Sequence, residues 1–377
     1  MRVLLLSAYT AQSHARWLDA LLQMFPHWDW QQLALPPRHF SWRVRGNPLY
    51  WVLEQREVLD AGYDLLVATS MVDLATLRGL VPSLAATPAL YYFHENQFAY
   101  PQDRQRHDLL EAQMVSLYGA LAAPRVAFNS PYNRDSFLAG VDTLLARLPD
   151  FVPRGVAQLI AEKSLVLPVP VALGEVAPLD PWPQRSGATP LRILWSARFE
   201  HDKGGELLHA VLRELEARGM HYQLAITGQQ FRQSPAVFAS IQRDFAHRLA
   251  HFGFIPEEPD YRAWQRGADV FLATADHEFQ GLAVMEAVRL GCFPVLPDRL
   301  AYRDFYPGHC RYPVEAESLD EQARAAADII QACTAATGPP AAPDLDAFSP
   351  DALRPGYERC LRQLAGLQDG LAPPGPV

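Results

Sequence analysis

Lysine is almost missing from this chain of 377 residues: only Lys163 and Lys203 occur, and every other fixed cation is an arginine. Cysteine is also sparse. Cys292, Cys310, Cys333 and Cys360 form no CxxC pair and no zinc spacing, which excludes a disulfide framework and fits a reduced, cytoplasmic setting. No apolar run reaches the roughly 20 residues of a membrane span, and the opening MRVLLLS is too short for a signal peptide. No membrane partner is therefore expected. Neither GxGxxG nor GxxxxGK[ST] is present, which weighs against a dinucleotide dehydrogenase and a P-loop ATPase. A net charge of −9 argues against a protein coated for nucleic acid, while leaving room for a local basic patch. Short repeats and heptads are absent as well.

Metal ligands are equally scarce. His94-Glu95 starts like HExxH, but Phe98 stands where the second histidine would be needed. The D-x-D of Asp344–Asp346 lies in a proline-rich stretch that reads as a solvated loop. His247 and His251 have helical i, i+4 spacing without an acid partner of clear role, and a helix is expected from Pro235 to Ala250. No metal is expected.

What is present is concentrated between Ala268 and Pro297. ADVFLAT (268–274) has the apolar run of a buried parallel strand. Asp276 to Gly281 is a polar loop, Leu282 to Leu290 has a helical apolar face, Gly291 suits a helix end, and Phe293 to Leu296 reads as the next strand. In such a crossover the loop opens at the carboxyl edge of the sheet, where ligands bind. The amides of Gln280, Gly281 and Leu282 would point out of the helix start and form an anion site. Glu278 and Glu286 flank it. A carboxylate is repelled by phosphate, so these two acids suit neutral hydroxyls. Phosphates at the helix start with a carboxylate for each set of hydroxyls describes a sugar nucleotide.

A second block supplies cations. LRILWS (191–196) is a buried strand that delivers Ala197-Arg198-Phe199-Glu200-His201-Asp202-Lys203-Gly204 at its end, followed by a helix over Glu206–Arg218. Cleaving a nucleotide sugar loads charge on the departing diphosphate. Arg198 as a planar fork and Lys203 as a point charge can neutralise it. Helices over Tyr261–Arg266, Leu319–Cys333 and Leu353–Leu367 are expected further on.

In the first half, strands are expected at Val3–Leu6, Trp30–Leu35, Leu65–Thr69, Ala89–Phe93 and Val126–Phe128. Ser13 can cap a helix over His14–Met24. Asn129 or Ser130 can cap a helix that begins at Pro131. PPRHFSWRVRGNP (36–48) reads as a loop that interleaves Arg38, Trp42, Arg43 and Arg45 with other aromatics, a pattern that suits single-stranded nucleic acid. The fourth strand ends in His94, Glu95, Asn96 and Gln97, polar groups placed where an α/β sheet faces its ligand cleft. His94 is a candidate to face a donor sugar, and a core histidine is the other reading.

Glu278-x7-Glu286 with Gly291 and Pro294, and the ARFEHDKG block, resemble the donor site of retaining GT-B glycosyltransferases. SWRVRGNP, YYFHENQFAYP and FNSPYNRDSF make the likeness narrower: residues 1 to about 312 resemble the tRNA-queuosine mannosyltransferase family. The resemblance implies an α/β chain of two Rossmann-like domains facing each other across a cleft. It implies GDP-mannose as co-substrate with no other cofactor, and the queuosine base at the wobble position of tRNA as acceptor. It implies that Glu278 contacts the sugar and Glu286 the ribose. It places Ser13 and His14, in the loop after the first strand, on the acceptor side. That loop has no glycine before Ser13-His14, and Gln280 stands where the family usually has an aromatic. The expected division is 1–172 for the acceptor side, a proline-rich linker at 173–190, 191–345 for the nucleotide sugar, a helix in 346–369 placed to cross back, and a tail at 370–377. Attack from the front face, with the diphosphate taking the acceptor proton, is favoured because no carboxylate is marked as a nucleophile. A glycosyltransferase acting on a lipid or small metabolite, and a non-catalytic sugar-nucleotide or RNA-binding protein, are the other readings.

Overall fold

The computed structural model describes residues 1–99, 109–184, 190–230, 234–315, 318–334 and 338–367. The tail from 370 and part of the proline-rich stretch lie outside these residues. Two compact units emerge: Met1–Pro170 together with the chain from Phe348, and Val171–Ala347.

The first unit is built on a parallel six-stranded sheet. Its strands are β1 (Arg2–Ser7), β2 (Asp29–Ala34), β3 (Leu65–Thr69), β4 (Ala89–Phe93), β5 (Arg125–Phe128) and β6 (Ser164–Val166), in the order β2-β1-β3-β4-β5-β6. β3 and β4 are buried along their whole length, as uninterrupted apolar runs with helices on both faces should be. β6 is a strand that the sequence reading did not expect: Ala127 pairs with Leu165 and Phe128 with Val166. β5 is accordingly an interior strand.

The second unit repeats the plan with β7 (Leu191–Ser196), β8 (Tyr222–Thr227), β9 (Leu249–Gly253), β10 (Val270–Leu272), β11 (Phe293–Pro297) and β12 (Arg311–Tyr312), ordered β12-β11-β10-β7-β8-β9. The chain runs outward from β7 through β8 to β9, then returns to the other side of β7 with β10. The carboxyl ends of β7 and β10 are therefore a topological switch point, where the crossover loops part and leave room for a ligand. The described start of the proline-rich stretch is packed on this unit. Trp182 is buried, its Nε1 donates to the Trp264 carbonyl (2.9 Å), and Asp180 pairs with Arg192 (2.8 Å).

Two helices differ from expectation. The segment read as a loop at 36–48 is mostly helix, Phe40–Glu54. Pro48 sits inside it and leaves the Val44 carbonyl without its usual N–H partner. Asn47 Nδ2 donates to that carbonyl (2.9 Å) and to the Arg43 carbonyl (2.8 Å), so the helix survives its proline. Gly46 lets the Trp42 ring lie along the helix; a Cβ at Gly46 would stand 2.6 Å from Trp42 Cε2. The second difference is at Pro235–Ala250, where the helix is only Val237–Asp244 and the chain turns into β9. His247 and His251 consequently share no helix. His247 faces Glu216 (3.5 Å), and His251 makes a hydrogen bond with the Gly253 carbonyl (3.1 Å).

The C-terminal helix Pro350–Leu364 belongs to the first unit. Tyr357 is fully buried there. Its hydroxyl accepts from Trp17 Nε1 (2.9 Å) and donates toward the Pro168 carbonyl (2.9 Å). One phenol thus ties the last helix to the first helix and to the end of the first unit's chain.

Candidate active site

At the β7–β10 switch point the two motif blocks meet. Beyond β7 a 3-10 turn, His201–Lys203, leads through Gly204 into helix Gly205–Ala217. Gly204 has φ +69°, and a Cβ there would lie 1.9 Å from the Thr274 carbonyl oxygen. Only glycine allows this approach. Polar bonds lace the two loops together. Thr274 Oγ1 donates to the Lys203 carbonyl (2.9 Å) and accepts from Trp195 Nε1 (2.9 Å), while the Asp276 amide donates to the Asp202 carbonyl (2.9 Å).

These bonds fix the Lys203 ammonium. It donates to the His277 carbonyl (2.9 Å), with Asp202 at 3.1 Å and Glu278 Oε2 at 3.9 Å, and its side chain is only 13% exposed. Arg198 lies on the outer side of the same loop, half exposed, and pairs with Glu200 (3.0 Å). Arg299 holds the other loop: it pairs with Asp276 (2.6 Å) and its Nε donates to the Ala275 carbonyl (3.1 Å).

The helix start departs from expectation in one respect. The amides of Gln280 and Gly281 were expected to be open for phosphate. Instead Glu278 Oε1 accepts from the amides of Phe279 (3.1 Å), Gln280 (3.5 Å) and Gly281 (3.1 Å). The nearest carboxylate satisfies donors that a helix N-terminus leaves over. Gly281 takes φ +79° as the N-cap of helix Leu282–Arg289. Gln280 is buried and its Nε2 points at the Met285 sulfur (3.5 Å), and Glu286 is buried in the helix's second turn.

In the first unit, His94 follows β4 and His14 lies in helix Gln12–Met24. Both are buried, their ring centroids are 4.0 Å apart, and Trp17 and Tyr92 close around His94. No ring nitrogen of either has a hydrogen-bond partner among the described residues. Burial drives the His14 pKa down to about 3. It also pushes that of His94 well below the usual imidazole range, helped by His14 itself. Both rings are neutral at physiological pH.

Several acceptor-side candidates have partners within the first unit. Ser13 is no cap; the helix begins at Gln12 after Ala11, without a side-chain cap bond. Asn96 Nδ2 donates to the backbone carbonyl and side chain of Asn133 (3.1 and 2.9 Å), and Asn96 Oδ1 accepts from the Phe98 and Ala99 amides (both 3.0 Å). Asn133 donates in turn to Asn129 Oδ1 (2.8 Å), and Asn129 to the His94 carbonyl (2.8 Å). Three amides spend their hydrogen bonds holding the turn that carries His94. Ser130 is the cap of helix Pro131–Leu145, accepting from the Asn133 amide (3.0 Å). Gln97 is buried, and Glu95 is half-buried with its carbonyl accepting from Ser70 (3.3 Å). Arg45 pairs with buried Asp73 (2.6 Å), so its charge is already matched. Arg38 and Trp42 are exposed, and Arg43 is half-buried.

Asp202, Thr274, His277, Arg299 and Asn133 are the residues that sequence reasoning missed. His277 had a visible signal, standing next to Glu278. It is buried, and desolvation with the Lys203 charge lowers its pKa to about 4. Among the described residues, no group of three or more His, Cys, Asp or Glu is arranged to hold a metal, and no helix is long and apolar enough to cross a membrane.

Comparison with known proteins adds to this geometry. Residues 2–171 match the family described as tRNA-queuosine alpha-mannosyltransferase N-terminal, and residues 178–332 match glycosyl transferases group 1. A Drosophila melanogaster tRNA-queuosine alpha-mannosyltransferase is 32% identical over 310 residues, 81% of this chain and 81% of that protein. Among solved structures, Anabaena HepE in complex with UDP is similar with a TM-score of 0.61 at 14% identity, covering 96% of this chain and 100% of that one. A UDP-forming trehalose-phosphate synthase from Burkholderia xenovorans reaches 0.62 at 11% identity, covering 97% and 99%. Likeness at these identities is of fold, and it bears out the two-domain GT-B architecture.

Proposed function

The chain belongs to the tRNA-queuosine alpha-mannosyltransferase family, and from that premise we propose that it moves mannose from GDP-mannose to the queuosine nucleoside at the wobble position of tRNA. One observation supports this reading above the others. The Lys203 ammonium, delivered by β7, lies 3.9 Å from the carboxylate of Glu278, delivered by β10. A cation for the departing diphosphate and an acid for the sugar thus share one switch point.

In the proposed reaction the anomeric C–O bond breaks and negative charge builds on the diphosphate. Lys203 and Arg198 neutralise it, together with the amides at the start of helix Leu282–Arg289. Those amides first exchange Glu278 for phosphate, which frees the carboxylate to accept from sugar hydroxyls. Glu286 accepts from the ribose hydroxyls. The acceptor hydroxyl attacks from the face the diphosphate leaves, and its proton passes to the diphosphate. His94, neutral, can offer one N–H and one lone pair to a hydroxyl. The scheme requires neither metal nor cofactor beyond the donor. Acceptor RNA is assigned to the first unit, with exposed Arg38 and Trp42 beside half-buried Arg43 as its first contacts, and tRNA as substrate implies work in the cytoplasm.

Mass spectrometry of tRNA nucleosides after incubation with a panel of sugar nucleotides tests the proposal. Queuosine gaining one hexose with GDP-mannose is the expected result. Unmodified queuosine with every donor overturns it, and transfer from a uridine donor overturns the choice of GDP-mannose.

A further inference from the structure

The amino edge of the first sheet, opposite the edge that carries His94, holds a cavity of about 620 Å³. Pro88 precedes β4, Arg125 opens β5 and Lys163 precedes β6, and all three line it, with Arg78, Ala122 and Leu364. Its walls carry three cations, Arg78, Arg125 and Lys163, and no carboxylate. Such a gathering is unusual in a chain of net charge −9 whose only other lysine stands at the donor site.

The cations are held in place without being neutralised. Lys163 Nζ donates to the Leu121 and Ala123 carbonyls (2.9 and 2.7 Å). Arg78 donates to the carbonyls of Leu84, Thr87 and Ala122. Capping the end of helix Leu109–Ala122 explains the bonds to Leu121, Ala122 and Ala123, and the Leu84 and Thr87 carbonyls take two more donors of Arg78, yet protons on both groups stay unused: an ammonium has three and a guanidinium five. It does not explain Arg125, whose side chain makes no hydrogen bond or ion pair among the described residues. Burial lowers the pKa of both Arg78 and Lys163, the signature of cations desolvated without a counter-charge. The other lining residues, apart from Gln363, have apolar side chains.

We propose that this cavity is a phosphate-binding site separate from the donor site, with Arg125 as its free fork and Lys163 and Arg78 as fixed charges beside it. The phosphate can come from the backbone of the RNA substrate, which rests on the function proposed above, or from a free phosphate compound, which does not.

Arg125→Ala in the full chain tests it, because the Arg125 side chain makes no hydrogen bond or ion pair among the described residues, and Arg125→Glu gives a second variant of opposite charge. Equilibrium binding of tRNA is measured against KCl concentration, and melting temperature against inorganic phosphate and pyrophosphate. If RNA fills the site, Arg125→Ala weakens tRNA binding about tenfold, as loss of one charged hydrogen bond does. The slope of log K on log salt then falls by about one, Arg125→Glu weakens binding further, and the donor KM stays unchanged. If a free phosphate fills it, the wild-type protein gains thermal stability from phosphate or pyrophosphate and Arg125→Ala does not. Unchanged tRNA affinity and salt slope, with the same phosphate response in variant and wild type, overturns the proposal. Because binding is read rather than transfer, this result is independent of whether mannose is the sugar moved.

Discussion

Acid should loosen the first unit from its histidine pair outward. An unfolded histidine titrates near 6.5, whereas His14 in the fold titrates near 3. Between these values the unfolded chain holds a proton that the folded chain refuses. The contribution to stability is therefore complete above about pH 6.5 and is lost as pH falls toward 3. Linkage sets the slope at about 1.4 kcal/mol per pH unit for each such group, so moving from pH 7.5 to 5.5 costs about 1.4 kcal/mol through His14 alone. His94 is shifted the same way by burial and by His14, and His277 in the second unit adds to the slope. Urea unfolding followed by tryptophan fluorescence at pH 7.5, 6.5 and 5.5, on wild type and His14→Gln, isolates the His14 share. The variant is less stable throughout, because it breaks the packing against His94, but it should lose about 1.4 kcal/mol less across the interval. Equal slopes in the two proteins would refute the argument, since a buried neutral His14 requires them to differ.

Lys203→Met should lower kcat at saturating donor by about 10²–10³, the usual loss for one group stabilising transition-state charge. Steady-state kinetics with wild-type turnover would remove Lys203 from the reaction. Tyr357→Phe deletes the hydroxyl that joins Trp17 to Pro168 and should cost about 1–3 kcal/mol. Calorimetry should show the first unit melting roughly 2–4 °C lower per kcal/mol lost. Gly204→Ala should destabilise the second unit far more than Gly62→Ala does the first. Both have φ near +70 to +80°, but a Cβ at Gly62 meets nothing within 4 Å, while at Gly204 it meets the Thr274 carbonyl at 1.9 Å. Comparing both variants with wild type by thermal melting separates backbone strain from collision, and similar losses in the two would contradict the close approach.

The sequence alone was enough for the buried interior strands and the two donor blocks, because a buried parallel strand reads as one apolar run and a ligand loop as an abrupt polar stretch after it, whereas the short or half-buried outer strands β6, β9 and β12 carry no such run. Val270–Leu272 and Leu191–Ser196 stand where those runs place them. Tertiary structure alone decided which polar groups remain available for chemistry, since hydrogen bonds between distant segments leave no local pattern. Asn96 looks like a ligand group in the sequence, but Asn133 occupies its amide and the Phe98 and Ala99 amides its oxygen; Arg45 looks like a free cation, but Asp73 lies against it. Helix Phe40–Glu54 was hidden for a related reason: its proline and glycine are loop signals by themselves, and only the Asn47 amide on the Val44 carbonyl and the Trp42 ring over Gly46 cancel them.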